Sequence, residues 1–398
     1  MLTTLQIVII VALSLMFLTT IGGFFKLERY GINFYLFGVM FKTEFFNKVL
    51  SKIGEKFKKL WQILFRIGQV LTGIIVVGLL GYFLVNPFLI LFDAPGAVGM
   101  QLLIPGITID FKTSLLFIVP ILLVIVPHEI GHAVMAKREG IELKSSGIFL
   151  FLIFFGAFVE LVNESMAKAT KKSRIKVLLN GSAINAITTV FFLALYLLSP
   201  LIISAGYDET DGVIVTKVFE EFPADLSNIV IGDVIQEMGV VNESESKIIY
   251  TRIRSSNDYN VFVYQQVNTS LIYLSLLDGS NISLIPTLTD PISQTNNSEK
   301  IYLGITIYNY LPPKAEWFSF WFPYYWSLEV LYCLNLSLMA VFINMLPLVM
   351  TDGDKILQEF LNVKGDDANP RHKTILNSLR IFFIGIIILN LVLSMIKF

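Results

Sequence analysis

The sequence has little charge and almost no cysteine. Only 15% of its 398 residues are charged, whereas a soluble domain of this size carries about a quarter. Apolar residues make up 55% of the chain, so the composition predicts an integral membrane protein. The net charge of −1 provides no basic field that would attract nucleic acid, and we expect no such partner. The single cysteine, Cys333, excludes an internal disulfide and a metal site built from several cysteines.

The N-terminus lacks the basic segment and the cleavage site of a secretory signal peptide. The first apolar run is therefore interpreted as a membrane helix. A bilayer core about 30 Å thick needs roughly 20 apolar residues in a helix, and six segments meet this requirement. They are Thr4–Phe24, Ile67–Phe92, Ser114–Ala136, Val177–Ile203, Leu328–Met350 and Leu379–Ile396. We expect an α-helical polytopic membrane protein with about six transmembrane helices.

Basic residues concentrate at 26–66, 137–176 and 355–373, which lie on one side of the membrane if all six spans are present. Because cytoplasmic loops carry the excess of lysine and arginine, that side is predicted to be cytoplasmic. Both termini and the segment Tyr207–Glu316 are then extracytoplasmic, in a multi-pass protein of the cell membrane. The basic, apolar stretch Phe41–Trp61 is predicted to be a helix lying on the cytoplasmic face of the lipid bilayer, with partner binding as the alternative.

The third span carries the motif His128-Glu129-Ile-Gly-His132. Residues at positions i and i+4 share one face of a helix, so both imidazoles can reach one metal ion. The carboxylate between them can serve as general base for a metal-activated water. The alternative is a pair of buried, hydrogen-bonded histidines with a buried glutamate. That alternative is costly, because ionisable groups in a membrane helix are expensive and usually mark function.

A catalytic zinc ion usually has three protein ligands, so the two histidines require a third ligand elsewhere. The better candidate is Asp352, which follows the apolar run of the fifth span. His372 lies in a charged link, and Asp354 is more simply a solvated carboxylate at a helix end. Pro347 is predicted to bend the fifth span and free a backbone carbonyl. Asn344 is predicted either to hold a substrate strand or an oxyanion, or to form a hydrogen bond between helices.

The HExxH motif and the sequence around Asp352 resemble the signatures of the site-2 protease family, the intramembrane zinc metalloproteases. The resemblance covers the third to sixth spans. It implies a zinc metalloendopeptidase that hydrolyses peptide bonds within or near the transmembrane segments of membrane proteins. It also implies that His128, His132 and Asp352 bind one zinc ion and that Glu129 activates the water.

The second signature of that family corresponds here to Asn344-x-x-Pro347 followed by Asp352. The resemblance implies that Asn344 assists in substrate positioning. A third family feature, G-P-x-x-N, is represented by Gly181-Ser-Ala-Ile-Asn185, in which serine replaces proline. Asn185 is thereby predicted to face the zinc, and the alternative is a hydrogen bond between helices.

The apolar run Gly147–Glu160 is too short to cross a membrane, and its glycine-terminated pieces predict a hairpin. In the site-2 proteases such a segment dips into the membrane, which implies a strand edge offered to an unwound substrate. The alternative is a plain interfacial segment.

The segment Tyr207–Glu316 is more polar than the rest of the chain. Gly212-Val-Ile-Val, Phe222-Pro-Ala and Gly232-Asp-Val-Ile resemble the start of a PDZ domain, and Tyr302-Leu-Gly-Ile resembles the closing strand of protease-linked PDZ domains. The resemblance implies that a peptide or chain end binds there by strand addition. An unrelated β-rich domain is the alternative. The predicted β-type runs are Gly212–Val218, Tyr259–Tyr264 and Tyr302–Ile307.

We therefore expect four regions. These are two N-terminal transmembrane helices with a basic amphipathic segment (1–110), the first part of a catalytic membrane core (111–206), an inserted PDZ-like domain (207–316) and the second part of the core (317–398). Two other functions remain open, a zinc transporter with the same ligands and an inactive adaptor that only binds peptides. A transporter would not need Glu129 as a base. An adaptor would not need the intact set of His128, Glu129, His132 and Asp352.

Overall fold

The computed structural model describes residues 4–25, 27–35, 38–104, 108–109, 111–151, 154–242, 247–267, 269–293, 295–296, 299–363 and 369–397. The chain divides into two compact units. We call Met1–Tyr196 together with Glu329–Phe398 the membrane unit, and Leu197–Leu328 the inserted unit.

Among the described residues, helices account for most of the membrane unit, and two further short helices lie in the inserted unit. The helices are α1 (Thr4–Phe24), α2 (Phe45–Lys56), α3 (Lys58–Leu91), α4 (Phe111–Leu116), α5 (Ile118–Arg138), α6 (Asn163–Lys168), α7 (Lys171–Ser204), α8 (Pro223–Leu226), α9 (Ser256–Gln265), α10 (Phe322–Met345), α11 (Asp352–Leu361) and α12 (Pro370–Lys397). A short 3-10 helix, Leu27–Tyr30, follows α1.

Five helical segments are long and apolar enough to cross a membrane. These are α3, the segment Thr113–Arg138 that contains α5, and the helices α7, α10 and α12. The prediction of a polytopic helical membrane protein is thus confirmed. Helix α1 has the bounds predicted for the first span. Within its described residues the apolar helical stretch is only Ala12–Gly22, so a sixth span stays a prediction.

Helix α10 ends earlier than the sequence predicted. It stops at Met345, two residues before Pro347, and α11 begins at Asp352. Pro347 therefore separates two helices, and the prediction that it bends one continuous span was wrong. The physical reason is that a proline disfavours helical backbone at the residue before it. After the helix end, the carbonyl of Leu346 accepts a hydrogen bond of 2.6 Å from the hydroxyl of Thr351, the residue that caps α11.

The membrane unit also contains a four-stranded antiparallel sheet in the order β1-β2-β3-β4. The predicted hairpin over Gly147–Glu160 is present as β3 and β4, and its turn at 152–153 lies outside the described residues. Part of the predicted interfacial helix Phe41–Trp61 instead belongs to β2, which pairs with β3. Among the described strands β4 has a partner on one side only. The strands are β1 (Ile32–Tyr35), β2 (Gly38–Thr43), β3 (Leu143–Phe151) and β4 (Phe154–Leu161).

The inserted unit is built on a second antiparallel sheet, in the order β10-β5-β6-β8-β9 with β7 paired to β6. Its hydrophobic core includes Ile235, Met238 and Leu274, none of which is exposed. The prediction of a β-rich insertion is confirmed. The strands are β5 (Val213–Val218), β6 (Val234–Asn242), β7 (Lys247–Arg252), β8 (Ile272–Leu276), β9 (Asn281–Leu284) and β10 (Ile305–Asn309).

The run Tyr259–Tyr264, predicted as a strand, lies in helix α9, so this prediction was wrong. The side chain of Ser255 accepts a hydrogen bond from the backbone of Asp258, and the Asp258 side chain bonds back to the start of the helix. This capping box stabilises a helix start. Tyr259, Phe262 and Val263 then face the core at helical spacing.

Candidate metal centre

Side chains from two helices bring three metal-binding atoms together. Helix α5 presents His128 and His132 one turn apart, and their Nε2 atoms lie 3.1 Å from each other. Asp352, the first residue of α11, places Oδ2 3.3 Å from Nε2 of His128 and 3.1 Å from Nε2 of His132. His128 and Asp352 are buried, and His132 is half-buried. The three atoms form a nearly equilateral triangle.

The size of this triangle fits a zinc ion. Bonds of about 2.0 to 2.1 Å in tetrahedral geometry separate neighbouring ligand atoms by about 3.3 Å. The three observed separations of 3.1, 3.3 and 3.1 Å are close to that value. Two imidazole nitrogens and one carboxylate oxygen also form a donor set typical of catalytic zinc, with a fourth position left for water or substrate.

Gly181 on α7 provides the space in which the two imidazoles lie. A Cβ atom at this position would come within 2.3 Å of Nε2 of His132 and 2.8 Å of Cε1 of His128. Gly131 on α5 allows a similarly close approach, because a Cβ there would meet the carbonyl oxygen of Asn180 at 2.3 Å. Small residues of this kind let membrane helices pack with their backbones close together.

The outer ring nitrogen of each histidine has its own partner on α7. The Nδ1–H of His132 donates to the carbonyl oxygen of Val177 at 2.8 Å. With the proton on Nδ1, Nε2 keeps its lone pair for a metal. The side chain of Asn185 meets His128 at the equivalent atom, with 3.1 Å between the amide nitrogen and Nδ1.

The amide of Asn185 can satisfy its hydrogen bonds better in the reverse orientation. As placed, its Oδ1 is buried and has no hydrogen-bond partner among the described residues. Amide oxygen and nitrogen are assigned from the surrounding network. Turning the amide by 180° lets Oδ1 accept from Nδ1–H of His128, which frees Nε2 for a metal in the same way as at His132. In that orientation Asn185 holds the ring of a ligand histidine, and the prediction that it faces the zinc stays a prediction.

Glu129 lies next to the ligands and is held by the edge of the membrane-unit sheet. The backbone N–H of Val159 in β4 donates to Oε2 of Glu129 at 2.8 Å. Glu129 is half-buried. This contact was not foreseen from the sequence, because a backbone donor leaves no signal in residue identity.

The second carboxylate oxygen of Asp352 interacts with Lys355, whose Nζ lies 3.6 Å from Oδ1. Burial disfavours the charged form of this carboxyl. When the imidazole of His132 is protonated, its charge and the hydrogen bonds from both histidines outweigh burial, so the pKa of Asp352 lies well below its ordinary value. The carboxyl is therefore an anionic donor directed at the two histidines.

Three other polar residues considered in the sequence lie apart from this cluster. Asn344 is half-buried one residue before α10 ends, and its side chain bonds to no residue that the structure describes. His372 has its Nδ1 2.7 Å from the carbonyl of Leu361 and is not part of the metal-binding group. Asp354 is almost completely buried and paired with Arg380, so the interpretation as a solvated carboxylate was wrong.

Comparison with known proteins agrees with this arrangement. The sequence model of Peptidase family M50 matches residues 116–388, more than half of the chain. An uncharacterized protein of Methanocaldococcus jannaschii, MJ0971, is 31% identical over 209 residues, which are 49% of this chain and 52% of that protein.

A membrane-bound transcription factor site-2 protease homolog of Arabidopsis thaliana is 24% identical over 181 residues, which are 44% of this chain and 35% of that protein. The chain thus spans about half, or less, of the length of these two relatives. The family match contains both histidines, the glutamate between them and Asp352. The chain belongs to peptidase family M50, the membrane metalloproteases of the site-2 protease kind.

Proposed function

We propose that this chain is a zinc endopeptidase that cuts membrane proteins within or near their transmembrane segments. The observation that carries the proposal is the triangle of donor atoms from His128, His132 and Asp352, with the carboxylate of Glu129 beside it. Ionisable groups inside a bundle of membrane helices are expensive to bury and mark function. Zinc is the metal that membership of the family implies, and the separations of the three donor atoms fit that ion.

The residues have distinct roles in the proposed reaction. When bound by His128, His132 and Asp352, zinc would act as a Lewis acid that polarises a carbonyl and makes water nucleophilic near neutral pH. Glu129 takes the proton from the attacking water at a carboxylate oxygen and returns a proton to the leaving amine. Asn185 and the Val177 carbonyl fix the rings of the two histidines.

The substrate is proposed to bind as an extended strand. A peptide bond in a helix has its carbonyl engaged within the helix, so a transmembrane substrate must unwind before it can be attacked. The outer edge of β4 supports this proposal, because its backbone at Val159 reaches Glu129 and a sheet edge without a partner strand can accept an added strand. Asn344, with a half-buried amide that has no partner among the described residues, is proposed to hold the substrate backbone or an oxyanion.

The inserted unit is proposed to select substrates as a PDZ-like domain that binds a peptide or chain end. Strand β10 lies at the end of the sheet order, so one edge is available for strand addition. Helix α9 is fixed to this strand, since the amide oxygen of Asn309 accepts from the backbone N–H of Ser256 at 2.7 Å. The loop charges support the proposal that this unit and both termini lie on the extracytoplasmic side of the cell membrane. We also propose that the chain divides into its four regions at 110, 206 and 316.

The test uses the detergent-purified chain and its Glu129→Gln variant, with a single-span protein as substrate. We expect about one zinc per chain in both proteins, and cleavage that falls by roughly 10²- to 10⁴-fold in the variant, since it has lost the base. Equal cleavage by both proteins would disprove the role of Glu129. Zinc flux into vesicles without cleavage would favour a transporter, and peptide binding without zinc would favour an adaptor.

A further inference from the structure

Helix α11 carries one metal-binding residue and two buried charges that the proposed mechanism does not use. Asp352 begins the helix, and Asp354 and Glu359 follow on it with exposed fractions of only 1% and 3%. Buried carboxylates are costly unless they are paired. Each of these two has an arginine partner, and the partners come from different helices.

The first pair joins the start of α11 to α12. The guanidinium of Arg380 donates from Nε to Oδ1 of Asp354 at 2.6 Å and from Nη2 to Oδ2 at 2.7 Å. Gln358 adds a third donor to Oδ2 at 2.7 Å. Such a two-pronged contact fixes direction as well as distance. It lies two residues from Asp352.

The second pair joins the other end of α11 to α7. Nη2 of Arg174 donates to Oε2 of Glu359 at 2.7 Å, and its Nη1 donates to the carbonyl oxygen of Ala169. Lys171 donates to the side-chain oxygen of Asn362 at 3.2 Å, just past the helix end. Helix α7 is also the element that orients both histidines through Val177 and Asn185.

The connection from α10 to α11 gives a reason why such pairs are needed. Residues 346–351 are not helical, so α10 does not continue as one rigid helix to Asp352. Gly353 packs against the carbonyl of Met345, where a Cβ would approach to 2.2 Å, and the hydroxyl of Thr351 donates to the carbonyls of Leu346 and Leu348. These contacts all lie at the start of α11 and leave its direction and its far end to other contacts. Buried ion pairs contribute little net stability compared with apolar packing, and specificity of arrangement is one use for them.

We propose that the pairs Asp354–Arg380 and Glu359–Arg174 are positioning pairs that hold Asp352 against the two histidines. The inference rests on the proposed zinc site. The pairs fix α11 at its two ends, one to α12 and one to α7, and thereby connect the third ligand to the helix that orients the other two. A ligand displaced by even a fraction of an ångström binds metal less well, because zinc accepts a narrow range of bond lengths.

The experiment measures zinc affinity by chelator competition in Arg380→Gln and Arg174→Gln. Loss of such supporting contacts lowers metal affinity by about 10- to 100-fold in proteins, and we expect this range for Arg380→Gln and a smaller loss for Arg174→Gln. Lys397→Gln is the matched control, because it removes the exposed pair with Asp93 from the same helix α12. Its zinc affinity should equal that of the unchanged protein.

A cobalt-substituted protein separates positioning from general stability. We expect the intense visible absorption of four-coordinate cobalt to weaken in Arg380→Gln, as Asp352 moves away. Arg380→Lys retains the charge and should fold. It should bind zinc more weakly than the unchanged protein, because an ammonium group cannot form the two-pronged contact of a guanidinium with Asp354. The exchanged pair Asp354→Arg with Arg380→Asp should recover part of the affinity.

Two results would overturn the inference without affecting the proposed enzyme. One is unaltered zinc affinity and cobalt spectrum in Arg380→Gln together with a lower unfolding temperature, which would make the pair merely structural. The other is a zinc affinity of Arg380→Lys equal to that of the unchanged protein. If the unchanged protein itself binds no zinc, the proposed function fails first.

Discussion

The two units differ in how many polar residues they bury and in how many large apolar residues they expose. In the inserted unit the core consists of side chains such as Ile272 and Leu274, with no exposed surface. In the membrane unit, large apolar side chains such as Val77 and Phe191 on the long helices are exposed, Val77 to 72%. Its buried positions include, beside apolar residues, Asn180, Ser182 and Asn185 on one helix. The solvent explains the difference, because lipid tails are as apolar as leucine and give no reason to bury apolar groups.

Stability and function rest on different buried residues in the two units. Burial of apolar surface stabilises the inserted unit, so its core residues hold a fold together. Buried polar groups in the membrane unit are costly, and His128, Asn185 and Asp352 meet from three helices at the candidate metal centre. We therefore expect substitutions in the two units to change different measurements, and four predictions test this separation in order of decreasing effect.

Leu274→Ala should destabilise the inserted unit by about 2 to 5 kcal/mol, because it leaves a cavity in a fully buried core. Hydrogen exchange of β8 in the full chain measures the free energy of opening. Zinc affinity should not change. The control is Leu277→Ala, in which the original side chain is 46% exposed and the effect should be small. A large loss of zinc in Leu274→Ala would break the separation between the units.

Gly181→Ala should affect the metal centre and leave the inserted unit as it is. The added Cβ would overlap the ring of His132, and overpacking costs about 1 to 3 kcal/mol. Zinc affinity, measured with a competing chelator, is expected to fall about tenfold or more. Gly385→Ala on α12 is the matched control, since a Cβ there meets no atom within 4 Å. Equal affinities in the two variants would contradict the close approach of α7 to the histidines.

Asn185→Ala should lower zinc affinity by about 10- to 100-fold, the usual effect of removing the partner of a ligand histidine. Asn185→Asp should retain affinity, because its carboxylate accepts from Nδ1–H as the turned amide does. Asn180→Ala on the same helix serves as control; its side chain bonds to Gln69 and the Lys176 carbonyl. If Asn185→Asp binds zinc as weakly as Asn185→Ala, the inferred direction of the hydrogen bond is wrong.

Ser255→Ala should cost about 1 kcal/mol in the inserted unit, the typical value of a helix cap. Exchange of backbone amides at the start of α9 reports this change. Ser256→Ala is the neighbouring control, because the contact of Ser256 with Asn309 uses only its backbone N–H. Zinc content should be unaltered in both variants. Unchanged exchange in Ser255→Ala would remove the capping box as the reason why this run is helical.

The sequence contained the ligands but not what holds them. His128 and His132 were predictable because helix geometry turns a spacing of four into one shared face. The strand predicted at Tyr259–Tyr264 failed because its aromatic residues suggested a strand, while the capping box at Ser255 determined the outcome. The pairing of β2 with β3 joins segments about a hundred residues apart, and no local pattern encodes that register.

Charge pairs were the other feature that the sequence did not reveal. Arg174 and Glu359 are 185 residues apart, and Asp354 and Arg380 are 26 residues apart. Charged residues near helix ends are common, so their identity alone does not predict a partner. Burial distinguishes them, and burial requires the assembled helices.

Zinc K-edge X-ray absorption of the purified full chain tests the central claim most directly. The account predicts one zinc with two imidazole nitrogens at about 2.0 to 2.1 Å and a carboxylate oxygen at about 2.0 to 2.2 Å. It also predicts that the spectrum of Asp352→Ala, at high zinc, retains both imidazoles and loses the carboxylate. A spectrum that is the same in both proteins would show that Asp352 is not a ligand and would contradict the metal centre described above.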